Sequence, residues 1–391
     1  MTKQTTIQNS PERETEPSQQ RTTHFQTLKE LPTPLADSQC VLHKHELFIC
    51  GDKYERACYS YHTLKNEYKL ICEYSSNVTL CGHCVVKLED SNSNNDKDNN
   101  QITLFVWNDD NNNGENQNET NKSKKLNELH QLNKSNNYNQ WVPFTDNHNH
   151  PIIIGRDHDD YEGARALLVE INNNFVFNLN TFQYIKHDKL PTNNDIWFHC
   201  FISKSENGQV QEMMKTNQKY KQNYQMLLFC KETGLSIEYD EDTKTFQFQE
   251  LPVCDDIAPF YEYAYVCIND VILLFDGCNW SRNVVSKSVH KYSIRENKWM
   301  TFQNTLSSPL YDCVAILSED NTYVHIIGGF DGKQRMLTHM KIDVSEWLSE
   351  EEMKKGIELK VEEDEKKNED EEEKDSDSEM NKIVKKKGCK S

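Results

Sequence analysis

No stretch of the chain approaches twenty consecutive apolar residues, and its opening residues are rich in Gln, Thr, Glu and Pro where a secretory leader is basic and then apolar. Neither a membrane-spanning helix nor a secretory signal is expected, because a bilayer core needs about twenty apolar residues in a row. Basic residues are in deficit. Lys and Arg number 44 against 63 Asp and Glu, a net charge of -19 that argues against nucleic acid as a general partner, since a phosphate-binding surface is net basic. Apolar residues make up only 36% of the 391 and mean hydropathy is -0.86, so part of the chain lies outside any packed core. No GxxxxGK[ST] phosphate loop and no recognisable catalytic triad occurs. The thirteen cysteines follow no framework spacing, and in a chain expected in the cytoplasm they read as mostly free buried thiols.

What the chain does contain is clearest near its end. Tyr323, Val324, His325, Ile326 and Ile327 form a β-prone run that enters Gly328-Gly329 and then an Asp331-Gly332 turn. Such a run predicts a short buried strand, and the glycine pair marks a place where φ turns positive or another backbone comes close. Weaker copies recur upstream at intervals of roughly fifty residues. One runs through Gln39–Leu42, Glu46–Gly51 and Ala57–Tyr61 to Tyr68, another through Trp197–Ile202, Tyr224–Phe229 and Ile237–Tyr239 to Phe246, and a third through Tyr263–Ile268, Val271–Gly277 and Val289–Tyr292 to Trp299. An aromatic residue recurs seven positions after a strand aromatic in Tyr61 and Tyr68, Phe177 and Tyr184, Tyr239 and Phe246, and Tyr292 and Trp299. Trp347 holds the corresponding place after His339–Val344.

On these residues the chain resembles kelch-repeat β-propellers, whose repeats carry a double glycine followed by a tyrosine and a tryptophan. The resemblance spans about Phe25 to Val344 in six units, with the full diglycine kept only at Gly328-Gly329 and decayed to Gly51-Asp52, Cys230-Lys231 and Asp276-Gly277 elsewhere. It implies an all-β, six-bladed kelch-type propeller. The second unit, through Gly82–Leu88 and Ile102–Trp107, and the third, through Arg165–Ile171 and Phe175–Leu179, each fall short by about one strand, so blades 2 and 3 are expected to be incomplete. The chain thus divides into a disordered tail over 1–23, a propeller over 24–345 with polar inserts at 89–101, 108–140 and 203–223, and a short helix with an acidic then basic tail over 346–391, ending in Lys385, Lys386 and Lys387.

Cys81-Gly-His-Cys84 has metal-like spacing, but Cys84 aligns with Cys40, Cys200 and Cys313 as a small apolar residue between blades, and His83 and His199 share the neighbouring position as repeat relics. No metal or other cofactor is expected. The resemblance implies a non-catalytic module of scaffold or substrate-adaptor type, binding a peptide or protein on a loop-bearing face. It reads out the turns taken as second-to-third, namely Lys44, His45, Asn269, Asp270, Asp320 and Asn321, with Tyr311 just before a second strand. The alternatives are a galactose-oxidase-like or hydrolytic propeller enzyme with a central metal or polar site, and a degenerate repeat copy with no specific partner.

Overall fold

The computed structural model describes residues 25–52, 54–74, 83–88, 103–107, 130–135, 138–143, 148, 166–167, 171–172, 175–178, 183–204, 223–240, 242–303 and 305–353. Over the strands between 84 and 187, Val85 apart, it is the backbone that is described. The tails at 1–23 and beyond 353, the insert at 89–101 and most of those at 108–140 and 203–223 lie outside the described residues.

The fold is all-β and built from four-stranded antiparallel sheets. The first sheet runs Gln39–His43, Glu46–Cys50, Ala57–His62, Glu67–Glu73, and the second Cys84–Leu88, Thr103–Trp107, His130–Ser135, Tyr138–Pro143. The third takes Ala166–Leu167, Ile171–Asn172, Phe175–Asn178, Gln183–His187, and the fourth Cys200–Lys204, Asn223–Cys230, Thr233–Asp240, Thr245–Glu250. The fifth has Ala264–Ile268, Val271–Phe275, Val289–Ser293, Lys298–Thr301, and the sixth Tyr311–Leu317, Tyr323–Phe330, His339–Asp343 and, as its outer strand, Phe25–Thr27. The leading strands of successive sheets touch, and that of the sixth touches that of the first. This organisation is compatible with a β-propeller.

Several expectations change here. The second and third sheets each have four strands. The strand missing from the second unit is His130–Ser135, inside the Asn-rich stretch 108–140, and its pairing with the second strand is only Phe105 with Gln131 and Val106 with His130. In the third sheet the first two strands are two residues long each. Phe25–Thr27 opens no unit of its own. It pairs with Met340, Lys341 and Ile342 and fills the fourth place in the sixth sheet. Trp347 is thereby displaced from the strand position that its spacing suggested. It follows the 3-10 turn Val344–Glu346 and lies buried, edge-on to Phe275 at 5.1 Å, in the core shared by the fifth and sixth sheets.

The aromatic pairs spaced by seven have a simple cause. Tyr61 lies directly opposite Tyr68, Tyr239 opposite Phe246 and Tyr292 opposite Trp299 across the hairpin between third and fourth strands, with ring centroids 4.9, 4.9 and 5.0 Å apart. Phe177 and Tyr184 share that register. The turn in between needs one left-handed residue, supplied by Asn66, Lys244 and Asn297. The sequence offered a further signal here. Asn66 Oδ1 accepts the Tyr61 hydroxyl at 2.9 Å and Asn297 Oδ1 that of Tyr292 at 2.6 Å, so an asparagine two residues before the second aromatic ties turn to strand.

The core lies between neighbouring sheets. Phe229 of the fourth sheet meets Tyr292 and Trp299 of the fifth edge-on at 4.8 and 5.1 Å, and burying each such ring contributes roughly 2–3 kcal/mol. Polar groups join the sheets as well. Tyr263, just before the fifth leading strand, donates its hydroxyl to the carbonyl of Phe229 at 2.7 Å, and His83, just before the second, donates Nε2–H to that of Cys50 at 3.0 Å. His83 and His199 are both buried at this junction, and in His83 the ring serves as an inter-sheet staple. Tyr263→Phe should cost about 1 kcal/mol in urea unfolding, because it removes a buried inter-sheet hydrogen bond while leaving the ring in place; an unchanged midpoint would mean that the staple contributes nothing.

Candidate protein-interaction surface

The sheets present two ends. Turns after the leading strands and between third and fourth strands form a hairpin end, while turns between second and third strands share a connection end with the links from one sheet to the next. The turns at Lys44-His45, Asn269-Asp270 and Asp320-Asn321 follow leading strands rather than second strands, so all six residues sit at the hairpin end. Tyr311 begins the sixth leading strand and stands at the opposite end.

At the hairpin end the polar groups are engaged within the chain. Lys44, Asn269 and Asn321 supply the left-handed turn residues, with φ of 54, 55 and 56°. His45 Nδ1 lies 3.0 Å from Glu319 of the sixth sheet, an exposed pair of small worth. Asp270 accepts from Arg295 at 2.7 Å, and Asn269 Nδ2 donates to the carbonyl of Glu352 at 3.2 Å. Asp320 accepts from the hydroxyl of Ser318, the main cause that lowers its carboxyl to about 2, and from the hydroxyl and amide of Thr322.

The connection end is built around a repeated backbone device. Gln39, Cys200, Ala264 and Val314 are equivalent by register, opposite Cys50, Phe229, Phe275 and Ile327, and two residues before each stands a left-handed residue: Asp37, Phe198, Glu262 and Asp312. This register separates the aligned cysteines. Cys40 falls one place beyond Cys200's and Cys313 one place before it, so by the period of two both face the other side of the strand. The amide of Asp312 donates to the carbonyl of Glu262 at 3.1 Å and that of Asp37 to the carbonyl of Asp312 at 2.8 Å. Three half-buried acidic residues therefore follow one another from the fifth sheet through the sixth to the first.

Around them runs a band of rings. In the fifth sheet the second-to-third connection makes a small hairpin, Cys278–Asn279 with Val284–Val285, whose tip carries Trp280, 49% exposed. Its Nε1–H donates to Glu262 at 3.1 Å, and its ring meets Tyr311 edge-on at 5.4 Å. Tyr311 leans on Phe330 at 5.3 Å, and Phe330 bridges to Arg335. The Arg335 guanidinium lies 3.8 Å from the ring centre of Tyr54, 68% exposed, and 3.4 Å from the buried carboxylate of Asp52. Asp52 also accepts the amides of Ala36, Tyr54 and Glu55, which fixes the turn. On the other flank Tyr261 bridges to Cys278 and carries the Lys231 ammonium 4.4 Å above its ring. Burial, and then the charge of Glu262 for Tyr261 and of Asp312 for Tyr311, pushes both phenols up. Of this band the sequence had singled out only Tyr311. Trp280, a lone large apolar residue between Asn279 and Ser281-Arg282, is the signal that could have extended it.

Burial pushes the thiols of Cys230 and Cys278 up to about 11 and about 12, so neither is a thiolate near neutral pH. Asp276 is buried with its carboxyl held well above the usual range, accepting from the Cys313 thiol at 3.5 Å. No group of three or more His, Cys, Asp and Glu among the described residues is arranged to hold a metal ion, and Cys81 and the Cys84 side chain lie outside them. All ten described cysteines are free, and no helix among the described residues is long and apolar enough to cross a membrane.

No family model matches the chain, and no curated protein matches it in sequence. In structure it is similar to YjhT, with a TM-score of 0.50 and 13% sequence identity over 82% of this chain and 98% of that one. At that identity the likeness concerns the fold alone.

Proposed function

We propose that the six sheets are the blades of a closed, six-bladed kelch-type β-propeller, and that it is a non-catalytic interaction module of scaffold or substrate-adaptor type. It takes a peptide or protein partner across the connection end. The observation that carries this reading is the row of residues from Tyr54 and Arg335 through Phe330, Tyr311 and Trp280 to Tyr261 and Lys231. Aromatic and Arg side chains are the groups that anchor protein interfaces, and here they are held by neighbours on rigid sheets, which lowers the entropy lost on binding. The contacts between leading strands and the closure of the sixth sheet by Phe25–Thr27 support the ring. The free thiols favour the cytoplasm as its compartment.

Affinity capture from cells with the full chain tests the surface. Proteins recovered with the wild type should fall at least about tenfold in Tyr54→Ala/Trp280→Ala, a loss of about 1.4 kcal/mol or more, and persist in Lys44→Ala/His45→Ala. The reverse pattern would move the site to the hairpin end. Stoichiometric metal in the purified protein would favour an oxidase-like enzyme instead.

A further inference from the structure

We propose that the occupant of the connection end is a basic segment of a partner chain, which seats a lysine or arginine side chain on Trp280. This rests on the interaction-module reading and adds the chemistry of the partner. The surface shows how its rings are used. At one flank Tyr261 carries Lys231 and at the other Tyr54 carries Arg335, so two rings of the band each hold a cation, and Arg335 is further neutralised by Asp52. Trp280 lies between them. It is half exposed, and among the described residues no cation of this chain lies over it. Indole is the strongest of the aromatic faces for a cation, and its hydrogen bond to Glu262 sets the ring's orientation before any ligand arrives.

The charges around the ring have the matching sign. Glu262 accepts the indole N–H of Trp280 and Asp312 adjoins Tyr311 in the chain; burial first, and then the charges of Asp312, Glu262 and Asp331, raise the phenol of Tyr311, which touches Trp280. Asp331 also accepts the amides of Lys333 and Gln334, both at 2.8 Å, which fixes its carboxylate in the turn. At longer range the net charge of -19 draws a basic chain toward the protein and repels an acidic one.

The test is to pan a randomised phage-displayed dodecapeptide library against the full-length protein and measure the consensus peptide by fluorescence anisotropy. Recovered peptides should share an Arg or Lys at one position. Replacing that residue by Gln, Trp280 by Ala or Glu262 by Gln should each weaken binding about tenfold, with Trp280→Phe retaining part of it. Glu262→Gln keeps the side-chain length at a left-handed position, and Trp280 lies at an exposed tip, so both variants should melt like the wild type. Peptides that lack a basic residue but are lost on Trp280→Ala would overturn this inference and leave the interaction module standing. Failure to recover peptides, or binding indifferent to Trp280→Ala, would overturn both. Binding that strengthens when Lys385, Lys386 and Lys387 are replaced by Gln would make the chain's own lysines the occupant and overturn a partner as the source.

Discussion

Gly328→Ala should remove about 3–5 kcal/mol of stability, a large share of the roughly 5–15 kcal/mol that holds an ordinary domain folded. Two effects add, and they differ in size. Gly328 has φ of +67°, which costs an alanine about 1–2 kcal/mol. Asp276 occupies the equivalent place in the fifth sheet at φ of 65°, so that conformation alone is tolerated. The larger effect is steric. A Cβ on Gly328 would stand 2.6 Å from the carbonyl oxygen of Leu35, a backbone atom that cannot swing away because it accepts the amide of Gly329 at 2.8 Å. Leu35 belongs to the link into the first sheet, so the clash would push apart the first and sixth sheets. Urea unfolding followed by circular dichroism measures the loss, and a change below about 1 kcal/mol would mean that this approach does not constrain the junction.

Acidification from pH 7 to 5 should cost up to about 6 kcal/mol, through three buried histidines. His325 and His339 of the sixth sheet lie against Tyr61 and Tyr68 of the first, with His325 Nδ1 3.0 Å from His339 Nε2 and the Tyr68 hydroxyl bonded to His339 Nδ1. The chain is satisfied when Tyr68 donates to His339 and His339 to His325, which requires both rings neutral. Burial lowers His325 to about 4 and His339 to about 3, helped by Lys341 for the first and by His325 for the second; burial also lowers His290, bonded to Thr301, to about 4. Because the folded values lie below the unfolded one, this stabilisation is complete above about pH 6.5 and is lost as pH falls toward the folded values. Each histidine then costs about 2 kcal/mol at pH 5. Asp276 works in the opposite direction, since burial raises its carboxyl and it keeps a proton that the unfolded chain would release, which offsets part of this loss. Urea midpoints at constant ionic strength should therefore fall between pH 7 and 5, and His325→Gln/His339→Gln should flatten the slope. An equal slope in that variant would exclude the pair as the cause.

Strand positions were legible where residues must meet a fixed geometry. The seven-residue aromatic spacing is a hairpin register written in sequence, and Gly328-Gly329 marked a true close approach. Which strand leads each sheet was not legible, because the turn at Lys44-His45 has the same chemistry whichever pair it joins; only the contacts between leading strands decide it, and that decision moves six residues to the other end. His130–Ser135, with Leu132 as its one large aliphatic residue, has little strand propensity and is held by its neighbours. Trp280 was not legible, because it lies outside the repeat pattern.

The clasp made by Phe25–Thr27 has a consequence for synthesis. Its partner strand, His339–Asp343, leaves the ribosome more than three hundred residues later, at an elongation rate of about 5–20 residues per second. For that interval, on the order of half a minute, the first strand waits unpaired while the leading strands of the earlier sheets have no last neighbour to close against. The nascent protein therefore carries open β edges until its final sheet emerges, a period in which a chaperone that shields such edges would govern its yield more than the stability of the finished fold does.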